Sequence, residues 1–356
     1  MTSKWNYLPL TTEEQKLETD LAKEFANCPP ISELLVQRGI TSAEDAEKFF
    51  HPSLKDMHDP FLMPDMDKAV NRLNKAMGLK EKIMVYGDYD VDGTTSVALV
   101  YKYLLNFYSH IEYYIPTRYD DGYGISMRSI DFAAEQGVKL VIILDCGIKA
   151  IEEIKYAKEK GIDFIICDHH VPDEELPDAV AILNPKLENS TYPCPHLSGC
   201  GVGYKFMQAF AISNGLPFTE LEALLDLVAV SIAADIVPMV DENRIMTYHG
   251  LKRLNSNPNL GLRAIMKICQ LHNREISISD VIFKIGPRIN ASGRMQCGRE
   301  AVDLLVAREI GEAYEKAEAG DVLSIEELLP DYMRKAEAQQ KLEAGQLPIC
   351  KGPKQE

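Results

Sequence analysis

The stretch VYGDYDVDGTTSVALV, Val85 to Val100, decides the fold. Apolar and small residues lead into aspartates at every second position, Asp88, Asp90 and Asp92; a glycine follows, then a run with helical character. Carboxylates at this spacing repel one another unless a cation or a hydrogen-bond network offsets the charge. Outward from this point the chain alternates. KIMVYGD reads as a strand and TTSVALVYKYLLNFY as a helix. IEYYIP is the next strand, and SMRSIDFAAEQG a helix closed by glycine. KLVIILD and DFIICD are apolar runs of the fully buried parallel type, separated by the helix AIEEIKYAKEKG. Such alternation predicts an α/β fold: a doubly wound, mostly parallel sheet with helices on both faces.

Three of these strands end in aspartate, at Asp88, Asp145 and Asp168. One such residue alone is ordinarily a helix N-cap. Three together, with Asp90 and Asp92 added, point to a shared crevice beyond the carboxyl ends of the strands, where sites lie in folds of this kind.

The flanking segments are helical. Residues 1–80 form a helical leader interrupted by the proline-punctuated stretch HPSLKDMHDPFLMPDMDKA. The α/β portion covers 81–240, and 241–311 continues as helix. The segment 312–356 reads as exposed helix and tail. In ELEALLDLVAVSIAADIVPM the end is apolar almost all round, so Asp235 is expected to be buried there and to need a partner.

The chain has 356 residues, enough for two domains or one large domain with an appendage. No apolar run reaches the roughly 18 residues of a membrane span, and the start MTSKWNYLPL lacks the apolar region of a signal peptide. Eight cysteines without a C-x-x-C pair suggest reduced thiols and a cytoplasmic setting. Cys194, His196 and Cys200 do not complete a tetrahedral zinc site. The formal charge of −16 argues against a general polyanion binder. It leaves room for an enzyme that grips a phosphate chain through bound cations and a local basic groove.

The string ICDHHVP carries the most chemistry. Imidazole is a common ligand for divalent metals, and Asp168 is placed to orient a neighbouring ring. Carboxylates and histidines without thiolates suit two Mn²⁺ or Mg²⁺ ions rather than zinc. A two-metal site favours hydrolysis at phosphorus. There is no P-loop, no dinucleotide fingerprint and no nucleophile elbow.

YGDYDVDG, LDCGI, CDHH and SIAADIVPM, in this order and spacing, resemble the four motifs of the DHH phosphoesterase superfamily. DDGYGIS, GPRINASGRM, the KWNY opening and the FFHPSLKDMHDPFLMPDMDKA leader narrow the resemblance to its RecJ family of single-stranded-DNA-specific 5′→3′ exonucleases. The likeness covers residues 1 to about 310. It implies metal ligation by Asp90, Asp92, Asp145, His169 and Asp235, with Asp145 bridging and Asp88 a ligand or close neighbour. It implies that His170 meets the scissile phosphate or moves a proton. It also implies that Arg288, Asn290, Ser292 and Arg294, on a glycine-rich loop, hold substrate phosphates.

That family continues into a DHHA1 domain and an OB-fold, and after about Arg308 the pattern departs from it. The resemblance therefore implies a nuclease core without its strand clamp, acting in DNA repair and recombination. The alternatives are a DHH phosphoesterase for oligonucleotides or cyclic dinucleotides, and an inactive binding or scaffold fragment.

Overall fold

The computed structural model describes residues 8–25, 28–117, 122, 124–295, 298–309, 311–313 and 316, with the backbone alone for 292–295. The chain divides into two compact units, Met1–Met57 and His58–Glu356. In the first, three helices, α1 (Thr12–Glu24), α2 (Pro29–Val36) and α3 (Ala43–Phe50), enclose Leu21, Leu35, Val36 and Ala46. Thr11 and Glu14 form a reciprocal capping box at the start of α1, which satisfies two otherwise orphaned backbone donors.

The second unit is built on a five-stranded parallel sheet. Its strands are β1 (Lys82–Gly87), β2 (Ile111–Tyr114), β3 (Val138–Leu144), β4 (Asp163–Cys167) and β5 (Ala181–Leu183), in the order β2-β1-β3-β4-β5. This is the doubly wound arrangement expected from the alternation of strand and helix. Ile142, Ile143 and Leu144 of β3 are wholly buried, as a central strand covered on both faces requires. On one face α6 (Met127–Glu135) and α7 (Ile151–Glu159) bury Ile130, Ala133, Ile154 and Ala157 with Val141, Ile143 and Ile166 of the sheet.

α4 (Met66–Gly78), grouped by sequence with the leader, lies in this second unit and packs on β5 and on α8 (Gly199–Ser213). α5 (Val91–Leu104) packs on α8 and on α10 (Leu225–Asp235), which follows the short α9 (Thr219–Glu222). α11 (Asp241–Ser256) then packs on α10. Next come α12 (Leu260–Ile268), α13 (Ile278–Asp280), a π-helical turn at Val281–Ile285, α14 (Gly286–Met295) and α15 (Gly298–Val306).

Two expectations are corrected here. The segment 286–295 is helix and not a glycine-rich loop. Gly286 takes φ −54° and ψ −49°, and Pro287 follows it directly after the π-helical turn, with the fixed φ of proline compatible with helix. Asp235 is not buried mid-helix: it is the last residue of α10, and its side chain is 33% exposed. The acid that is wholly buried in this helix is Asp226, which accepts from the backbone N–H groups of Asn259 at 2.6 Å and Leu227 at 2.9 Å.

A buried ion pair braces the start of α11. Lys205 and Glu242, both fully buried, meet at 2.8 Å. Lys205 also donates to the His58 carbonyl at 2.7 Å, while Tyr192 Oη and His58 N donate to Glu242 at 2.5 and 3.0 Å. Burial lowers the Lys205 pKa and the Glu242 charge opposes that shift. Removing one partner would leave the other charge uncompensated, at a cost of about 3–5 kcal/mol. Glu242→Leu should therefore lower the melting temperature by roughly 10 °C, read by calorimetry. Lys205→Met, Glu242→Leu together should recover most of that loss.

Candidate metal centre

In a sheet of order 2-1-3-4-5 the topological switch falls between β1 and β3, and the crevice opens beyond their carboxyl ends. Asp88 follows β1, Asp145 follows β3 and Asp168 follows β4. Asp145 adopts φ +61°, a left-handed conformation that aspartate tolerates better than most residues. Ile236, directly after Asp235, adopts φ +57°, which is costly for a β-branched side chain.

His169 is the hub. Its Nε2 lies 3.2 Å from Asp145 Oδ1, 3.7 Å from Asp92 Oδ2 and 3.7 Å from Asp235 Oδ2. Among the described residues two overlapping groups place their donor atoms within 4.8 Å of one another: Asp145, His169 and His170, and Asp92, His169 and Asp235. Asp88 and Asp90 stand outside both groups. Asp90 caps α5, with Oδ1 accepting from Gly93 N at 2.9 Å.

Asp92 is anchored by a helix start. Gly199 N and Cys200 N, in the first turn of α8, donate to it at 2.7 and 2.8 Å, and Ser231 Oγ donates at 2.7 Å. Backbone donors of this kind, together with the helix dipole, stabilise a carboxylate without neutralising it. Asp168 is wholly buried and orients the histidines. It accepts from His169 N, His170 N and Ile148 N at 2.7, 3.0 and 3.0 Å, and lies 2.8 Å from His170 Nδ1.

Electrostatics follow the geometry. Burial, then the Asp90 charge, pushes the Asp88 carboxyl up to about 7. Burial, then the charges of Asp92 and Asp90, does the same for Asp235, also to about 7. Asp145 is held far above the ordinary range by burial and by Asp92 and Asp90 beside it. Burial and then Asp92 raise Asp90. For Asp168 burial acts upward, but the His170 hydrogen bonds outweigh it and the pKa falls. Burial lowers His169, and the bond to Asp168 raises His170.

Crowding of this kind fits a cation. Asp88 Oδ1, Asp145 Oδ1 and His169 Nδ1 are buried and make no hydrogen bond. A donor set of carboxylate oxygens and imidazole nitrogens, with no thiolate in either group, suits a hard or borderline divalent ion.

Other expected residues are placed differently. Asn290 Oδ1 accepts from Val91 N at 3.0 Å, so this side chain braces the start of α5. Arg288 is buried, donates to the Lys284 carbonyl at 3.2 Å, and has an unpartnered Nε. The side chains of Ser292 and Arg294 lie outside the described residues. Sequence reasoning missed Gly199, Cys200 and Ser231. The signal was present at Gly199, in the SGCG string after a proline-rich loop. A Cβ there would stand 2.6 Å from Asp145 Cβ and 2.7 Å from its Oδ1, so only glycine fits.

A parallel sheet with a carboxylate–histidine cluster at its switch point defines a protein built to hold divalent ions there. Residues 82–232 match the DHH family, N-terminal domain. The chain is 40% identical over 313 residues to the single-stranded-DNA-specific exonuclease RecJ of Bacillus subtilis, covering 88% of this chain and 39% of that protein. To the RecJ of Escherichia coli it is 34% identical over 311 residues, covering 84% and 53%. A crystal structure of exonuclease RecJ bound to manganese superposes with a TM-score of 0.67 at 28% identity, over 79% of this chain and 68% of that one. A Thermus thermophilus RecJ in complex with Mn²⁺ shares the fold, with a TM-score of 0.73 at 24% identity over 93% of this chain and 45% of that one. The chain spans about half the length of the curated relatives it matches. No helix among the described residues is long and apolar enough to cross a membrane.

Proposed function

We propose that this chain is the catalytic core of a RecJ-type exonuclease. It would hydrolyse phosphodiesters at the 5′ end of single-stranded DNA, release 5′ mononucleotides, and act in the cytoplasm in repair and recombination. The observation that carries the reading is the pair of donor groups sharing His169 at the β1/β3 switch point. The names of the relatives supply the substrate class.

Asp88, Asp90, Asp92, Asp145, His169 and Asp235 would hold two Mn²⁺ or Mg²⁺ ions. When bound, such ions activate water and polarise the phosphoryl oxygen. The protein's own part is positioning and proton transfer. Asp168 can only accept as a carboxylate, so the 2.8 Å contact leaves His170 Nδ1 as donor and frees Nε2 for the substrate. The same contact raises the His170 pKa, which favours a protonated ring able to donate to a leaving oxygen. Arg288, buried and with an Nε that makes no hydrogen bond, would hold a substrate phosphate together with Ser292 and Arg294. Asn290 acts through the start of α5.

The test is the purified chain with Mn²⁺ on 5′-labelled single-stranded DNA, a duplex of the same length and a dinucleotide. Mononucleotides should appear from the single strand and not from the duplex, and chelation should stop the reaction. His170→Ala should slow it by about 10²- to 10⁴-fold, the usual worth of a positioned acid or base. Cleavage of the dinucleotide alone would assign a small-substrate phosphoesterase, and no cleavage of any substrate a binding role.

A further inference from the structure

Acidic overall, the chain is locally basic in one place. Between Asn257 and Arg288 five Lys and Arg side chains accompany only two acids, Glu275 and Asp280, against a formal charge of −16 for the whole. The structure concentrates these cations. A cavity of about 430 Å³ beside α11 and α12 is lined by Arg263, Lys267, His272 and Arg274 around Leu254 and Met266, and no carboxylate of the described residues lines it.

A relay of contacts runs from the basic surface to the start of α5. Asp280 binds Arg274 through both carboxylate oxygens and lies 3.2 Å from Lys284. Arg288 donates to the Lys284 carbonyl, and Asn290, one helical half-turn further, holds Val91 beside Asp90 and Asp92. From Asp280 to Asn290 the chain is continuously helical. Ten residues at about 1.5 Å put Asp280, the partner of the cavity's Arg274, about 15 Å along the helix from Asn290.

Two independent features mark the same segment. Phe283 is 65% exposed, beside a Lys284 side chain that is 47% exposed. The turn that carries both is π-helical, a rare form that recurs at functional sites. Cations that follow a backbone, interleaved with an exposed aromatic ring, are the composition of single-strand-binding surfaces.

We propose that Arg263, Lys267, His272, Lys284 and Phe283 form a strand-guiding surface, where cations hold phosphates of a single-stranded nucleic acid and Phe283 stacks on a base. The proposal rests on the nuclease reading and specifies how a substrate longer than two nucleotides is held. Phosphate is the shared chemistry of a strand and a free nucleotide. The row of cations and the exposed ring favour the strand.

The test is fluorescence anisotropy of the intact chain with labelled (dT)20 in EDTA, across a salt series. Phe283→Ala should weaken binding about tenfold, within the range for removing one base–aromatic stack, and Phe283→Tyr should restore it. Arg263→Ser, Lys267→Ser should flatten the slope of log affinity against log salt by about 1.4, at roughly 0.7 for each single-strand phosphate left without its cation. Binding that is undetectable, or equal in wild type and variants, overturns the proposal. So does displacement of (dT)20 by equimolar dTMP, which would assign the cavity to a free nucleotide. With Mn²⁺, dinucleotide cleavage should stay within twofold of wild type in every variant. A wild type that binds the strand but cuts neither substrate refutes the nuclease reading and leaves the strand surface standing.

Discussion

Asp145→Asn should lower the Mn²⁺-dependent rate by more than about 100-fold while leaving the metal-free protein at least as stable as wild type. The two halves have different causes. Changes to residues that only support a metal ligand cost about 10- to 100-fold in affinity or activity. Asp145 stands closer in, with Oδ1 3.2 Å from the His169 Nε2 that both donor groups share, so its loss should exceed that range. In the metal-free chain the same carboxylate is buried, makes no hydrogen bond at Oδ1 and stands beside Asp90 and Asp92, so a neutral amide of equal size removes repulsion. The checks are kcat on single-stranded DNA and a melting temperature in EDTA. A variant that keeps most of its rate would show that Asp145 is not a ligand. Gly199→Ala makes a useful companion, because its Cβ would press on Asp145 from 2.6 Å without changing any charge. It should reproduce the loss of rate and, unlike Asp145→Asn, also destabilise the fold.

Much of this centre is legible in the residues because parallel strands and their carboxyl-end acids announce themselves. The apolar runs at Lys82–Gly87, Val138–Leu144 and Asp163–Cys167 have no polar face to hide, and each is followed by aspartate. What the residues do not reveal is non-local or backbone-borne. Asp92 is held by N–H groups of Gly199 and Cys200, more than a hundred positions away, and a backbone donor leaves no mark on side-chain pattern. The helical character of 286–295 is hidden by two glycines and a proline, residues that break helices in isolation. Here packing on the π-helical turn, α10 and α15 outweighs that local preference. The position of Asp235 is hidden because an apolar run does not show where its helix stops. The stop comes at Ile236, where the chain turns into a left-handed conformation that no residue type there would suggest.

The affinity for Mn²⁺ should rise steeply with pH through the range up to about 7. Asp88 and Asp235, each pushed up to about 7, hold protons in the metal-free fold at pH values where free carboxylates would have lost them. The sign follows from linkage. Because both folded pKa values lie above the unfolded value near 3.9, their contribution to stability is greatest below about pH 4 and is lost as pH climbs through 7. Binding a cation requires both groups ionised, so each must release its proton. Asp145, held far above the ordinary carboxylate range, must release its proton as well, so below about pH 7 the logarithm of the affinity should gain about two or more per pH unit. The same linkage predicts that the rise in melting temperature caused by a fixed excess of Mn²⁺ grows across this window, as metal-free stability falls and bound stability holds. Isothermal titration in two buffers of different ionisation enthalpy counts the protons directly. A release of about two or more protons at pH 6, falling as pH rises past 7, is the expected result. With Asp88→Asn the count at pH 6 should drop by about one, and an unchanged count would mean that Asp88 keeps its ordinary acidity and takes no part in the centre.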